Sequence, residues 1–270
     1  MRKKRLIASM FMASIIILLP IIAIAAEIPL YFPPEWKAKA LQAKAIAGTI
    51  SSASGENIRP IVAESYPEIL SAFTKNQPML VYAGSFLQAL LFTRGLSTPI
   101  VQGIDGQEFY TSVMIAPASA GTDPKLIVRN AGAQVAYAKG TSSGESGAKA
   151  ATGGIAAIAT KDHLSAVSAV KDGKAKCAFV KDGWWNKYKQ LFKEMRQFSY
   201  PGVSDQKNPD NILSASKSLS AKDITKIKAA VLKNAKSFQV TSFKEFDSAL
   251  LNPSIQLMKK GLINPKTYTW

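Results

Sequence analysis

Short apolar strands in this sequence alternate with helices that begin at a serine, and this alternation constrains the fold more than any other feature. Ile58–Val62 is followed by Ser65 at a helix start, and Met79–Ala83 is followed by Ser85. A glutamate or glutamine stands three residues after each serine, which is the spacing of a capping box. Strands that alternate with helices form a mostly parallel sheet covered by helices. The sequence therefore predicts an α/β fold.

A third segment repeats this arrangement with a loop of glycines and small hydroxyl residues. Its strand, Val135–Ala138, leads into an alanine-rich helix expected from about Ser142, with Glu145 at capping-box spacing. Unpaired N–H groups at a helix start, together with hydroxyls, bind tetrahedral oxyanions. Helix starts in open parallel sheets gather at the carboxyl ends of the strands. We therefore expect Ser65, Ser85 and Ser142 to converge on one crevice, although a lone serine at a helix start is usually only a cap.

The first 26 residues predict an exported protein. Arg2 to Arg5 are cationic, an apolar run extends from Leu6 to Ile24, and Ala25-Ala26 offers a small-residue cleavage site. This is the pattern of a signal peptide. An uncleaved signal anchor is the alternative, because the run approaches the length of a membrane-spanning helix. Pro20 within the run favours cleavage, so we expect a soluble mature chain.

Charge and composition narrow the possible partners. The formal net charge is +16, but the lysines are scattered along helices without interleaved aromatic residues, so we expect no nucleic-acid partner. A positive field favours anionic ligands. Cys177 is the only cysteine and His163 the only histidine, which is too few for a metal cluster. We therefore expect a buried, unpaired Cys177, no metal and no cofactor.

A secreted serine hydrolase is an alternative that the sequence keeps open. The segment from Ser146 to Lys149 matches the S-x-x-K motif of penicillin-binding proteins, but the companion motifs S-D-N and K-T-G are absent. No G-x-S-x-G motif occurs either, and a lone histidine makes a catalytic triad improbable. We expect no catalytic residues; the alternative would use Ser142 or Ser146.

Four further polar residues near predicted strand ends are candidate ligand contacts. His163, at the start of a helix, either faces solvent or donates to an anion. Tyr66 and Tyr110 carry phenols that either donate to an oxyanion or pack in the core with a satisfied hydroxyl. Asp182 follows the strand Lys176–Val180 and is either a helix cap or a counter-charge for an ammonium group on the ligand.

The remaining elements predict two lobes. We expect strands at Pro99–Ile104, Phe109–Ala116 and Lys125–Val128, and helices at Ser220–Ala235, Ser242–Leu251 and Pro253–Lys260. A long strand into the second half and an extended return near Ser199–Pro201 indicate an inserted lobe. The first lobe would comprise residues 27–112 and 202–270, and the second residues 113–201. A cleft between lobes is a common ligand site.

Several segments, in order, resemble the periplasmic phosphonate/phosphate/phosphite-binding proteins of ABC importers. The loop from Gly140 to Gly144 resembles the S-T-S-G anion loop of that family, with Thr-Ser-Ser in place of Ser-Thr-Ser. The segments that begin at Glu64, Leu80, His163 and Leu219 are similar to the corresponding helix starts and turns of the family. The resemblance covers most of the mature chain.

The resemblance implies a two-lobed class II periplasmic-binding-protein fold with a hinge of two crossing strands. It implies an exported, monomeric carrier in the periplasm that captures a small phosphorus-containing anion for an ABC permease in the membrane. A sensor that binds the same ligand without a permease is the alternative. A carboxylate that pairs with an aminoalkyl group would fall near Asp182, and a second one at Asp205 or Asp210. The family's ligand contacts correspond here to Tyr66, Tyr110, Thr141, Ser142, Ser143 and His163.

Overall fold

The computed structural model of the chain describes residues 26–270. The signal peptide that we expect at residues 1–26 therefore lies, apart from Ala26, outside the described residues. Across residues 26–270, no helix has both the length and the apolarity that crossing a bilayer requires.

Strands and α-helices alternate along most of the described chain. The strands are β1 (Ile28–Phe32), β2 (Ile58–Val62), β3 (Leu80–Ala83), β4 (Ser97–Ile104), β5 (Phe109–Tyr110), β6 (Ser112–Pro117), β7 (Val135–Ala138), β8 (Ile158–Thr160), β9 (Cys177–Lys181), β10 (Met195–Phe198), β11 (Asn208–Pro209), β12 (Ile212–Ser216) and β13 (Ser242–Glu245). The helices are α1 (Ala40–Ser54), α2 (Tyr66–Thr74), α3 (Ser85–Thr93), α4 (Pro124–Ala131), α5 (Gly147–Thr152), α6 (His163–Lys171), α7 (Asp182–Tyr188), α8 (Ala221–Leu232) and α9 (Asn252–Lys260).

The first sheet has six strands in the order β13-β4-β12-β3-β1-β2. β1 pairs in parallel with β2 and β3, as the alternation predicts, whereas β12 runs antiparallel between β3 and β4. Leu30, Phe32 and Ile46 are fully buried between this sheet and the helices on one face. Ile69 and Phe73 of α2 pack against the other face. Burial of both faces explains why β1 and β3 are almost entirely apolar.

The second sheet has five strands in the order β10-β6-β9-β7-β8. β7 pairs in parallel with β8 and β9, and β6 runs antiparallel to β9 and β10. Successive residues of β9 face opposite sides, as a strand requires: Cys177 and Phe179 lie in one apolar cluster, and Ala178 and Val180 lie in the other. Cys177 is buried and free, as predicted.

Two short strands carry the chain between the sheets. β4 leads through β5 into β6, and β10 leads back through β11 into β12, with β5 and β11 paired antiparallel. These are the crossing strands of the expected hinge, so the α/β, two-lobed fold class is confirmed. The lobe boundaries at residues 112 and 202 stay a prediction. Helix α9 contacts both halves, because Leu257 packs in an apolar cluster of the second sheet while Met258 packs beside α3.

Two predicted elements have the wrong type. Lys125–Val128 belongs to helix α4 and is not a strand, because Asp123 caps the helix by accepting a bond of 2.9 Å from the backbone N–H of Lys125. Ser242–Leu251 is not a helix. Its first half is β13, which pairs with β4 and buries Phe243, and a 3₁₀ turn over Ser248–Leu251 follows. Tertiary packing overrides local preference in the second case.

Two strands differ from the prediction in another way. The expected strand Phe109–Ala116 is interrupted at Thr111, where the chain passes from β5 in the hinge to β6 in the second sheet. β12 was not predicted, because its serines and alanines give a weak strand pattern. It is nevertheless fully buried in the first sheet, between β3 and β4. Ser214 donates to Gln88 Oε1 at 2.6 Å. Ser216 Oγ accepts from the backbone N–H of Met79 at 3.0 Å and shares a hydrogen bond with Ser218.

Candidate functional site

A cavity of about 290 Å³ lies where the two sheets and the hinge strands meet. Its volume is at the small end of the range for ligand pockets. Seven of the predicted site residues line it. They are Tyr66, Ser85, Tyr110, Thr141, Ser142, Ser143 and His163.

Three hydroxyls form a connected cluster in this cavity. Ser85 Oγ shares hydrogen bonds of 2.7 Å with Tyr110 Oη and 3.0 Å with Ser142 Oγ. Ser85 does not cap α3, contrary to expectation, because Gly84 occupies the cap position and Ser85 lies in the first turn. Burial, reinforced by Asp210, raises the pKa of Tyr110 to about 12, so its phenol keeps its proton at neutral pH.

The helical turn after β7 begins at Ser142, as predicted, but its cap lies one residue before the serine that was expected to cap it. Thr141, not Ser142, is the N-cap: its hydroxyl accepts from the N–H of Gly144 at 3.0 Å and donates to the carbonyl of Ala138 at 2.8 Å. A π-helical turn over Ser142–Ser146 follows and continues into α5. Because the Thr141 hydroxyl is committed inside the loop, the Ser142 hydroxyl is the one that reaches the cluster.

Glu145 anchors this loop to the end of the chain. The glutamate is buried, and its Oε2 accepts from the N–H of Gly140 at 2.7 Å and from the hydroxyl of Tyr268 at 2.8 Å. Its Oε1 pairs with Lys149 Nζ at 3.0 Å. Glu145 therefore does more than complete a capping box, since it holds the start of the loop against the C-terminal segment.

Tyr66 lines the cavity, but its hydroxyl binds a residue that was not predicted from sequence, Glu35. Its hydroxyl donates to Glu35 Oε1 at 2.9 Å, and its ring stacks on Trp270 with centroids 5.2 Å apart. Burial raises the pKa of Glu35, and burial together with Glu35 raises the pKa of Tyr66 well above its usual value. Glu35 follows β1, so its position just beyond a parallel strand was the signal that could have identified it.

His163 lines the cavity as a neutral ring. Its Nδ1 is buried and has no hydrogen-bond partner within residues 26–270. Burial and the nearby Lys181 lower the pKa of His163 to about 4, so the imidazole is uncharged at neutral pH. Asp162 caps its helix by accepting from the N–H of Ser165 at 2.7 Å. A neutral imidazole presents one N–H donor to a ligand.

Lys181 and Asp210 form an ion pair in the cavity wall. Lys181 Nζ also lies 4.5 Å from the ring centroid of Tyr110. Burial alone would lower the pKa of Lys181, but the carboxylate of Asp210 outweighs it and raises the pKa. The sequence analysis missed Lys181 and left Asp205 or Asp210 open. Asp210 lines the cavity, whereas Asp205 accepts from the N–H of Gly202 at 2.8 Å on an exposed turn.

Two predicted residues lie outside the cavity. Asp182 lines an adjoining chamber of about 700 Å³ and is bonded to the Thr111 hydroxyl at 3.0 Å and to the N–H of Gly183 at 2.7 Å. Ser65 caps α2 by accepting from the N–H of Glu68 at 3.4 Å and does not reach the cavity. The expected convergence of three serines therefore holds for Ser85 and Ser142 only.

Within residues 26–270, neither serine of the hydrolase alternative is hydrogen-bonded to a base. Ser142 Oγ bonds to another hydroxyl, and Ser146 Oγ is buried without a partner in that part of the chain. In the same part of the chain, no group of three histidine, cysteine or carboxylate side chains is arranged to hold a metal ion.

Comparison with solved structures shows the same fold in several proteins. A Xanthomonas citri protein solved with bound ATP is 11% identical, with a TM-score of 0.71, and the match covers 88% of this chain and 98% of that one. A binding protein component of an ABC phosphonate transporter from Pseudomonas aeruginosa is 15% identical, with a TM-score of 0.66, and the match covers 88% of this chain and 87% of that one. PhnD1 from Prochlorococcus marinus, solved with methylphosphonate, is 12% identical, with a TM-score of 0.67, and the match covers 88% of this chain and 99% of that one.

Sequence comparison identifies the family. No protein of curated function matches the chain. The family described as "ABC transporter, phosphonate, periplasmic substrate-binding protein" matches residues 32–254. This match spans most of the sequence and includes every residue that lines the cavity described above. The chain therefore belongs to the family of periplasmic substrate-binding proteins of phosphonate ABC transporters.

Proposed function

We propose that this protein captures a small phosphorus oxyanion, such as a phosphonate, phosphate or phosphite, and delivers it to an ABC permease. The observation that carries the proposal is the convergence of the Ser85, Tyr110 and Ser142 hydroxyls at the start of a helical turn, inside one small cavity. Each hydroxyl is a donor that can rotate toward an anion placed beside the cluster.

Several donors of different origin support binding of a tetrahedral anion. The first N–H groups of a helix have no intrahelical acceptor, so those of the turn that begins at Ser142 add to the hydroxyls. The uncharged ring of His163, whose Nδ1 has no partner within residues 26–270, adds a further polar group. A hydrogen bond to a charged group contributes about 1.5–3 kcal/mol, and micromolar affinity requires about 8 kcal/mol, so several of these donors must act together.

The position of the cavity supports capture by closure. Ser85 belongs to a helix of the first sheet, whereas Ser142 follows β7 of the second. An anion that accepts hydrogen bonds from both hydroxyls would join both lobes, with β5 and β11 as the hinge. Closure of lobes over a ligand excludes water and strengthens the hydrogen bonds inside.

The family supports the partner and the location that we propose. The proposal places the mature chain in the periplasm as a monomer, after removal of the signal peptide expected near Ala25-Ala26, with a membrane permease as its partner. It assigns no cofactor and no catalytic step to the chain. Uptake of labelled anion into cells with and without this chain separates transport from sensing, because a sensor can be deleted without loss of uptake.

Calorimetric titration tests the ligand class. The mature chain would be unfolded and refolded to remove any bound ligand, and then titrated with methylphosphonate, 2-aminoethylphosphonate, phosphite, phosphate, sulfate and ATP. We expect micromolar or tighter binding of one small phosphorus anion. Heat from sulfate or ATP alone, or no heat from any compound in a folded sample, would overturn the proposal.

A further inference from the structure

Two lysines of the protein line the cavity, Lys39 and Lys181, and Lys181 is the one whose ammonium group lies over Tyr110 of the hydroxyl cluster. Lys181 is the last residue of β9, and its Nζ pairs with Asp210 while lying 4.5 Å from the ring centroid of Tyr110. The side chains of Lys181 and Asp210 are only 32% and 30% exposed. The same Tyr110 bonds Ser85 of the hydroxyl cluster. The ammonium therefore lies next to the place proposed for the anion.

The carboxylates of the cavity are both engaged. Asp210 pairs with Lys181, and its Oδ1 lies against the start of α3, where a Cβ on Gly84 would approach within 3.2 Å. Glu35 accepts a hydrogen bond from the hydroxyl of Tyr66. A pair of carboxylates beside an anion site would ordinarily accept a ligand that carries both an anionic head and an ammonium group. Here Lys181 already pairs with one of these two carboxylates, that of Asp210.

A ligand ammonium would therefore compete with Lys181. To reach Asp210 it must displace Lys181 Nζ and leave that cation without a counter-ion in a poorly solvated cavity, which is unfavourable. If Lys181 stays in place, the two like charges repel. Asp182, the other carboxylate expected to serve an aminoalkyl group, is bonded to Thr111 and Gly183 in the adjoining chamber.

We propose that Lys181 is a specificity-determining residue that selects phosphorus anions without an ammonium group over aminoalkylphosphonates. The inference rests on the proposed function and deepens it, because it names the substituent that the site rejects. Lys181 acts by satisfying Asp210 and by adding positive charge beside the anion. Methylphosphonate and 2-aminoethylphosphonate are suitable probes, since they share the phosphonate head and differ chiefly in the aminomethyl extension.

Titration of the two probes into three proteins tests the inference. We expect the unaltered chain to bind methylphosphonate at least about tenfold more tightly than 2-aminoethylphosphonate. Lys181→Met, which keeps the length of the side chain and removes its charge, frees Asp210 and should reverse this order. Lys181→Arg keeps the charge and should keep the order. Thermal melting confirms that each variant is folded.

A second variant covers the case in which Lys181→Met does not fold. Asp210→Asn leaves Lys181 without a counter-ion, so it should bind methylphosphonate more tightly and should discriminate at least as strongly as the unaltered chain. Three results would overturn the inference and leave the proposed function standing. The unaltered chain could bind both probes equally, Lys181→Met could keep the preference for methylphosphonate, or Asp210→Asn could lose it. No binding of any phosphorus anion by the unaltered chain would overturn both.

Discussion

Ser85 Oγ and Ser142 Oγ lie 3.0 Å apart, although 57 residues separate them in the sequence. Ser85 belongs to α3 beside the first sheet, and Ser142 follows β7 of the second. Both side chains are almost completely buried. This contact joins the two halves of the molecule at the ligand cavity, so a change at either hydroxyl should affect binding more than folding.

Ser142→Ala should weaken the binding of the phosphorus anion roughly 10- to 100-fold, because it removes one hydrogen bond to a charged group. Ser146→Ala is the matched control, since Ser146 lies in the same turn and its buried hydroxyl has no partner among the described residues. The control should bind within about twofold of the unaltered chain. Calorimetric titration measures both, and equal losses in the two variants would contradict the assignment of Ser142.

His163→Gln should reduce the loss of stability in acid. Burial and Lys181 lower the pKa of His163 from 6.5 to about 4 in the folded protein. Between these values the unfolded chain binds a proton that the folded chain does not bind. The free energy of unfolding therefore decreases as the pH falls through this window, by up to about 1.4 kcal/mol per pH unit. Above pH 6.5 the imidazole is neutral in both the folded and the unfolded chain, so His163 causes no loss of stability there.

Urea unfolding of both proteins at several pH values from 7 to 4 isolates this contribution, because the carboxylates common to both cancel in the difference. The unaltered chain should lose more stability than the variant. Parallel pH profiles would show that His163 titrates normally in the folded protein.

Gly140→Ala should destabilise the protein more than Gly153→Ala does. Both glycines have positive φ, +73° and +65°, so alanine costs about 1–2 kcal/mol of backbone strain at either position. A Cβ on Gly140 would also lie 2.4 Å from Trp270 Nε1, whereas nothing lies within 4 Å at Gly153. Trp270 is held by stacking on Tyr66, so relief requires displacement of the chain end, at a further cost of about 1–3 kcal/mol.

Chemical denaturation compares the two glycine variants directly. Titration with ligand adds a second comparison, because Gly140 lies in the anion loop and Gly153 does not. Equal destabilisation would indicate that Trp270 moves away without cost.

Glu145→Ala should destabilise the protein by about 2–4 kcal/mol, since it leaves the N–H of Gly140, the hydroxyl of Tyr268 and the ammonium of Lys149 without their acceptor. Glu64→Ala breaks an ion pair with Lys37 in which the glutamate side chain is 79% exposed, and should cost less than about 1 kcal/mol. Urea midpoints measure both. A small effect at Glu145 would mean that the loop holds its shape without the C-terminal segment.

Local sequence patterns were sufficient for much of the fold. Alternation of apolar strands and serine-led helices predicted the parallel core of both sheets, because each element must bury one apolar face. Short apolar runs were less informative. Lys125–Val128 fits a strand or a helix equally well by periodicity, and the cap at Asp123 decides for the helix.

The choice between Lys181 and Asp182 shows the limit of such patterns within the site. Both follow the apolar part of β9, and the sequence analysis selected Asp182. Adjacent residues at a strand end point in different directions. β9 pairs with β6 in a register that sets Lys181 opposite Ser112, and in this frame the lysine enters the cavity while Asp182 begins α7. Strand register is a property of the assembled sheet, so no local pattern reports it.

The hydroxyl-rich loop, the parallel core and seven of the residues that line the cavity followed from sequence. Small hydroxyl residues at helix starts are specified locally by backbone hydrogen bonding. The set of charged residues in the cavity did not follow from sequence. Glu35, Lys181 and Asp210 come from three distant parts of the chain, after β1, at the end of β9 and after β11. They meet only when the hinge strands bring the two sheets together, and it is this long-range packing that determines which charges face the ligand.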